Sequence, residues 1–170
     1  MEVVVGFSKH KGFAPLSSLI QGVLGTPYSH TFMIFNLDCI DELLVFHSTS
    51  KGINLMTLDN FEQNNEVVSE HHLVISENIY KKLTTFFFNN LGTRPYAYLQ
   101  NLGIFAIDVL NLFGFDFKYN MFDDGVNCSE LIAMALDEIY GEWTEKDYNL
   151  VTPKDIYKFL EEANGNSICT

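Results

Sequence analysis

From His30 onward the hydrophobic pattern of this chain changes period near residue 75. Between His30 and Ile75 four adjacent runs are rich in β-branched and aromatic residues: HTFMIFNL from His30, ELLVFHST from Glu42, INLMTL from Ile53 and EVVSEHHLVI from Glu66. Such runs read as strands, and their adjacency predicts an antiparallel meander. Val3 to Phe7 adds a short strand. Pro15 to Leu24 has apolar residues at 16, 19, 20, 23 and 24, a helical spacing closed by Gly25 and Pro27. After residue 75 the spacing is helical throughout. Ser76 caps a helix through Ile79, Leu83 and Phe87 to Leu91, stopped by Gly92. A second is expected from about Tyr96 to Leu112, a third from Asn127 to near Gly141, and a fourth from Thr152-Pro153 to about Ala163. Strands first and helices later predict an α+β fold, an antiparallel sheet packed against helices, rather than alternating α/β.

No repeat or Pro/Gly/Ser linker divides the 170 residues, so a single domain over 1–170 is expected, with 142–170 forming a C-terminal helix and a frayed tail. A chain of this size buries roughly 70% of its unfolded surface and needs no disulfide staples. Lys plus Arg number 10 against 22 Asp plus Glu, a net charge of −12. Nucleic-acid binding calls for a basic face, so it is excluded as a general activity. The most apolar stretch, Leu102 to Phe115, is too short for an integral membrane segment and carries Asp108 and Asn111. It reads as a buried helix. No secretory signal is visible, and the three cysteines, 39, 128 and 169, form neither a CxxC pair nor a zinc-ligand spacing. A cytoplasmic, reducing setting with no metal is expected.

The segment Asp123-Asp124-Gly125-Val126-Asn127-Cys128-Ser129-Glu130 carries the clearest chemical signal. Asn127 is a good N-cap and Glu130 completes a pattern like a capping box, which puts Cys128 in the first turn of a helix. Free N–H groups and the positive end of the helix dipole favour a thiolate there and offer donors to an oxyanion. A thiolate nucleophile needs a base. His30 opens one strand and His47 lies toward the end of the next, so an antiparallel hairpin makes them cross-strand neighbours. One imidazole then takes the thiol proton while the second fixes its tautomer. Tyr28, in the turn before His30, is a candidate for the substrate side. Of the other histidines, His71 and His72 are adjacent in a strand and must face opposite ways, and His10 lies in a polar loop. Arg94, Cys39, Cys169 and the Asp123-Asp124 pair read as ordinary surface or turn residues.

Four motifs in order resemble a known family. They are Val4-Val5-Gly6-Phe7-Ser8 with Pro15-Leu16-Ser17-Ser18-Leu19-Ile20; Gly25-Thr26-Pro27-Tyr28-Ser29-His30; His47-Ser48-Thr49-Ser50-Lys51-Gly52; and Cys128-Ser129-Glu130, preceded by Gly92-Thr93-Arg94-Pro95-Tyr96. Together they are similar to the circularly permuted NlpC-type papain-like proteins, of the YiiX-like branch and more distantly the lecithin:retinol acyltransferase-like branch. The resemblance covers about residues 4 to 140. It implies a permuted papain-like fold in which histidine precedes cysteine, with Cys128 as nucleophile, His30 as base and His47 as orienting residue. It also marks Tyr96 as a second residue of the substrate side. His47 stands where the YiiX-like branch has glutamate, whereas the acyltransferase-like branch has histidine.

The expectation is therefore a cysteine-dependent hydrolase, or acyltransferase, acting on a peptide amide or an acyl ester through a thioester acyl-enzyme. Its chemistry requires no metal or organic cofactor. The acidic surface suits neutral or cationic substrates better than anionic ones. The alternative is a non-catalytic papain-like module that binds a protein or lipid partner, with the aromatic residues of Phe86–Phe88 and Tyr96–Phe117 lining a groove.

Overall fold

A computed structural model describes residues 1–12, 15–37, 40–49, 52–92 and 126–166. The elements run β1 (Glu2–His10), α1 (Pro15–Leu24), β2 (His30–Asn36), β3 (Leu43–Thr49), β4 (Gly52–Thr57), α2 (Leu58–Asn64), β5 (Asn65–Val74), α3 (Glu77–Asn90), α4 (Cys128–Tyr140), a 3-10 turn (Tyr148–Leu150) and α5 (Pro153–Asn166). This is a mixed α+β fold with an antiparallel sheet packed against helices. The expected helix from Tyr96 to Leu112, Tyr96 itself, Arg94, the Asp123-Asp124 turn, Cys39 and Cys169 lie outside the described residues. Among the described residues no helix is long and apolar enough to cross a membrane.

The sheet order is β4-β3-β2-β1-β5. β2, β3 and β4 form the expected meander, but β5 does not continue it. It pairs with β1 at the opposite edge, from Glu2↔Val74 to His10↔Asn65. The reason is the segment between β4 and β5. The sequence reading gave it no helix, yet Leu58–Asn64 forms one, α2, capped by Thr57, whose Oγ1 accepts the Asn60 N–H. A polar seven-residue helix with two large apolar residues, Leu58 and Phe61, is too short to show an amphipathic stripe. Its anchor is Phe61, fully buried, which packs on Phe32 at a ring distance of 4.5 Å. Burying such a side chain contributes about 2–3 kcal/mol.

Strand alternation divides the core in two. Val3, Val5 and Phe7 of β1, Met33 and Phe35 of β2, and Phe46 of β3 point to the face covered by helices. There they meet Leu83 and Phe87 of α3, Leu131, Ile132 and Leu136 of α4, and Ile156 and Leu160 of α5. Phe32, Ile34 and Val45 point the other way, toward Phe61 of α2. The first half of α4 is buried on all sides, Cys128 through Ala133, as its composition demands. Gly141 ends that helix with φ 76°, a value that favours glycine. Thr152 and Asp155 cap each other's backbone at the start of α5, and Lys154 Nζ donates to Leu24 O at 2.7 Å, tying α5 to the end of α1.

The α2 face is most tightly packed at Gly6. The ring of Phe32 lies over it so closely that a Cβ there would come within 2.2 Å of Phe32 Cζ. Gly6→Ala therefore forces Phe32 against Phe61 and is expected to destabilise the fold by about 1–3 kcal/mol, the usual cost of overpacking. Gly22→Ala, in α1 with nothing within 4 Å of the added methyl, is expected to be neutral or stabilising. Urea midpoints for the two variants measure the contrast.

Candidate active site

His30 is the first residue of β2 and His47 the fifth of β3. Alternation groups His30 with Phe32 and Ile34, and His47 with Val45, on the face covered by α2. There the structure brings them together: His30 Nε2 and His47 Nδ1 are hydrogen bonded at 3.1 Å, with the rings nearly perpendicular at 81°. Phe61 flanks both, 6.2 Å from the His30 ring and 5.1 Å from that of His47. Burial pushes His30 down to about 4. Burial, and secondarily repulsion from His30, pushes His47 down to about 3. Both rings are neutral at pH 7. Because His47 engages Nε2 of His30, the nitrogen left to act as a base is His30 Nδ1, the one nearest its own backbone. His47 Nε2 is buried without a hydrogen-bond partner among the described residues.

Cys128 opens α4, as its sequence context predicts. Asn127 is the N-cap, and its Oδ1 accepts the Glu130 N–H at 2.9 Å. The thiol is buried, with Ser129 Oγ 4.0 Å from Sγ. Burial pushes the Cys128 thiol up. The N–H groups of Thr31, Ser129 and Cys128 and the Ser129 hydroxyl pull the other way without prevailing. The sequence expectation of a thiolate is thus reversed in this conformation, because desolvation outweighs the helix terminus. Thr31, whose N–H is one of these groups, follows His30 in β2.

The sheet is parted at this place. The β2–β3 ladder runs from Asn36↔Leu43 to Met33↔Phe46 and stops. Its neighbours continue, β1–β2 to Ser8↔His30 and β3–β4 to Thr49↔Gly52. The entry to α4 occupies the gap: Thr31 Oγ1 donates to Cys128 O at 3.1 Å, and Ser48 Oγ donates to Val126 O. The imidazoles lie on the α2 face of these strand ends, beside Phe61, and the Thr31 and Ser48 hydroxyls hold the start of α4 on the other face. Among the described residues no hydrogen bond joins Cys128 Sγ to either imidazole; its partner is Ser129.

Tyr28 is buried in the core. Its ring lies 5.0 Å from Phe7 and stacks on Tyr157 at 5.4 Å, inside the core beneath α5. Burial pushes its hydroxyl up to about 12, with Tyr157 and Glu161 adding to the shift. His71 and His72 face opposite ways as expected: His71 is buried near Glu161 of α5, and exposed His72 pairs with Glu2. Among the described residues no group of three His, Cys, Asp or Glu side chains is placed to hold a metal ion. The sequence reading missed Thr31, Ser48 and Phe61. The first two were open to inference, because each follows a candidate histidine and must point to the opposite face of its strand.

Comparison with protein-family models and with curated proteins finds no match to this chain.

The buried imidazoles make stability depend on pH. Between pH 6.5 and about 4 the unfolded chain binds protons at His30 and His47 that the folded chain refuses. Their contribution is complete above pH 6.5 and is lost as pH falls, each imidazole adding a slope of about 1.4 kcal/mol per pH unit. Urea titrations from pH 7 to pH 5 are expected to show a steeper fall for the wild type than for the His30→Gln/His47→Gln double variant. Equal slopes would contradict the assignment.

Proposed function

We propose that this protein is a cysteine-dependent hydrolase or acyltransferase of the permuted papain-like kind, acting on a peptide amide or an acyl ester. The observation that carries the reading is the hydrogen-bonded His30–His47 pair at the parted end of β2 and β3, where the first residue of α4 is Cys128. The reading takes its nucleophile from α4, its base from β2 and its orienting residue from β3.

Both imidazoles and the thiol are neutral at rest, so the chemistry begins by general-base catalysis rather than from a preformed ion pair. His30 Nδ1 takes the Cys128 proton as Sγ attacks the carbonyl carbon and a C–S bond forms. The backbone N–H of Cys128, free at the helix start, donates to the oxyanion. His47 accepts from His30 Nε2–H, which holds the tautomer that leaves Nδ1 basic and steadies the imidazolium once formed. His30 then protonates the leaving amine or alkoxide as its bond to carbon breaks, leaving a thioester. Water, or another acceptor, gives its proton to His30 and attacks the thioester, and the thiol is restored. His47 carries no fixed negative charge, so it stabilises the imidazolium less than a carboxylate would.

The burial of Cys128 also favours a competing reading, a papain-like module that binds a partner and performs no chemistry. Intact-mass measurement with a peptidyl acyloxymethyl ketone and a fatty-acyl β-lactone decides between them. One probe is expected to add to wild-type protein at Cys128 and not to Cys128→Ala. His30→Ala is expected to slow the addition by about 10²–10⁴-fold, and His47→Ala by less. Wild-type protein left unmodified by both probes, or an adduct that persists in Cys128→Ala, would overturn the catalytic reading.

A further inference from the structure

The two histidines are each followed by a residue with a β-hydroxyl, His30-Thr31 and His47-Ser48. Alternation sends each imidazole to the α2 face and each hydroxyl to the α4 face. Both hydroxyls are buried, Thr31 completely and Ser48 to within 1%. Both are spent on the same short stretch of backbone: Thr31 Oγ1 on Cys128 O and Ser48 Oγ on Val126 O. Cys128 O already has an acceptor role inside the helix, toward the N–H four residues on. The Thr31 bond is therefore additional to what the helix needs.

We propose that Thr31 and Ser48 are positioning residues that aim the nucleophile by fixing the two peptide planes on either side of Asn127-Cys128. The inference rests on the reading of Cys128 as nucleophile. A trans peptide is planar, with its C=O and N–H pointing opposite ways, so holding the oxygen sets the direction of the hydrogen. Every described peptide bond here is trans. Thr31, gripping Cys128 O, sets the Ser129 N–H, one of the groups that act on Cys128 Sγ in favour of the thiolate. Ser48, gripping Val126 O, sets the Asn127 N–H and with it the entry to α4. The strands that carry the imidazole pair thus also hold the amides that surround the sulfur. Any change in the gap between β2 and β3 moves base and nucleophile together. The stronger effect belongs to Thr31, whose peptide plane carries an N–H that bears on the sulfur directly.

The test is the pH profile of Cys128 alkylation by iodoacetamide in the full chain, followed by peptide mapping, with thermal unfolding measured in parallel. Thr31→Val is expected to raise the alkylation midpoint by about one pH unit, a roughly tenfold loss of rate at pH 7. Ser48→Ala is expected to shift it in the same direction by less, and Thr31→Ser to restore the wild-type profile. Unchanged midpoints in Thr31→Val and Ser48→Ala, with only stability lost, would overturn the proposal, as would failure of both variants to fold. Alkylation needs no substrate, so the two readings separate. A shifted midpoint without any acyl adduct in the wild type leaves positioning standing and removes the hydrolase. An adduct with unchanged midpoints does the reverse.

Discussion

The arrangement depends on where the β2–β3 ladder ends. Backbone groups freed at a parted sheet must find partners or water, and buried ones without either cost free energy. Here part of that demand is met by an element that brings its own unsatisfied groups, the start of α4. Buried hydroxyls from both strands answer the carbonyls of Val126 and Cys128, and the Thr31 N–H bears on the Cys128 sulfur. These contacts hold the first turn of α4, which begins with Cys128, on the ends of the strands that carry His30 and His47. The rest of the fold serves this junction. α3 and α5 share with α4 the core that seats it on the sheet, and α2 closes the imidazole face with Phe61.

Burial sets the resting charge state. It lowers both histidines and raises the cysteine, all in the direction of the neutral form. The helix terminus and local N–H groups favour the thiolate but act against a desolvation penalty that exceeds them. A neutral resting site stores no ion pair. On the proposed reading, charge separates only when a carbonyl arrives to share it, and the fixed N–H donors then act in a low-dielectric setting where they are worth most.

Much of this was legible in the sequence, and the failures have physical causes. His30, His47 and Cys128 were readable because each sits at a position that local rules define: a strand start, a strand end, a helix first turn. The Asn127 cap predicted the start of α4, and Gly141 its end. The neighbour of β5 was not readable, because pairing β5 with β1 depends on the path the chain takes between β4 and β5. That path runs through a short polar helix anchored by Phe61, with Leu58 packed beside the same cluster. The packing of Tyr28 was hidden for a related reason: closeness to His30 in sequence says nothing of which face a turn residue meets, and its ring packs on Phe7 and Tyr157. The charge of Cys128 was read from its helix alone, whereas its burial comes from the sheet and the helices around it.

The central claim is that His30 and His47 form one hydrogen-bonded, neutral pair inside the parted sheet. Nitrogen-15 NMR of the imidazole rings through a pH titration tests it most directly. The account predicts that His30 carries its proton on Nε2 at pH 7, that His47 Nδ1 shows the shift of a hydrogen-bonded acceptor, and that both rings titrate well below pH 6.5, His47 below His30. Two independent titrations near pH 6.5, with the rings in free tautomeric exchange, would contradict it.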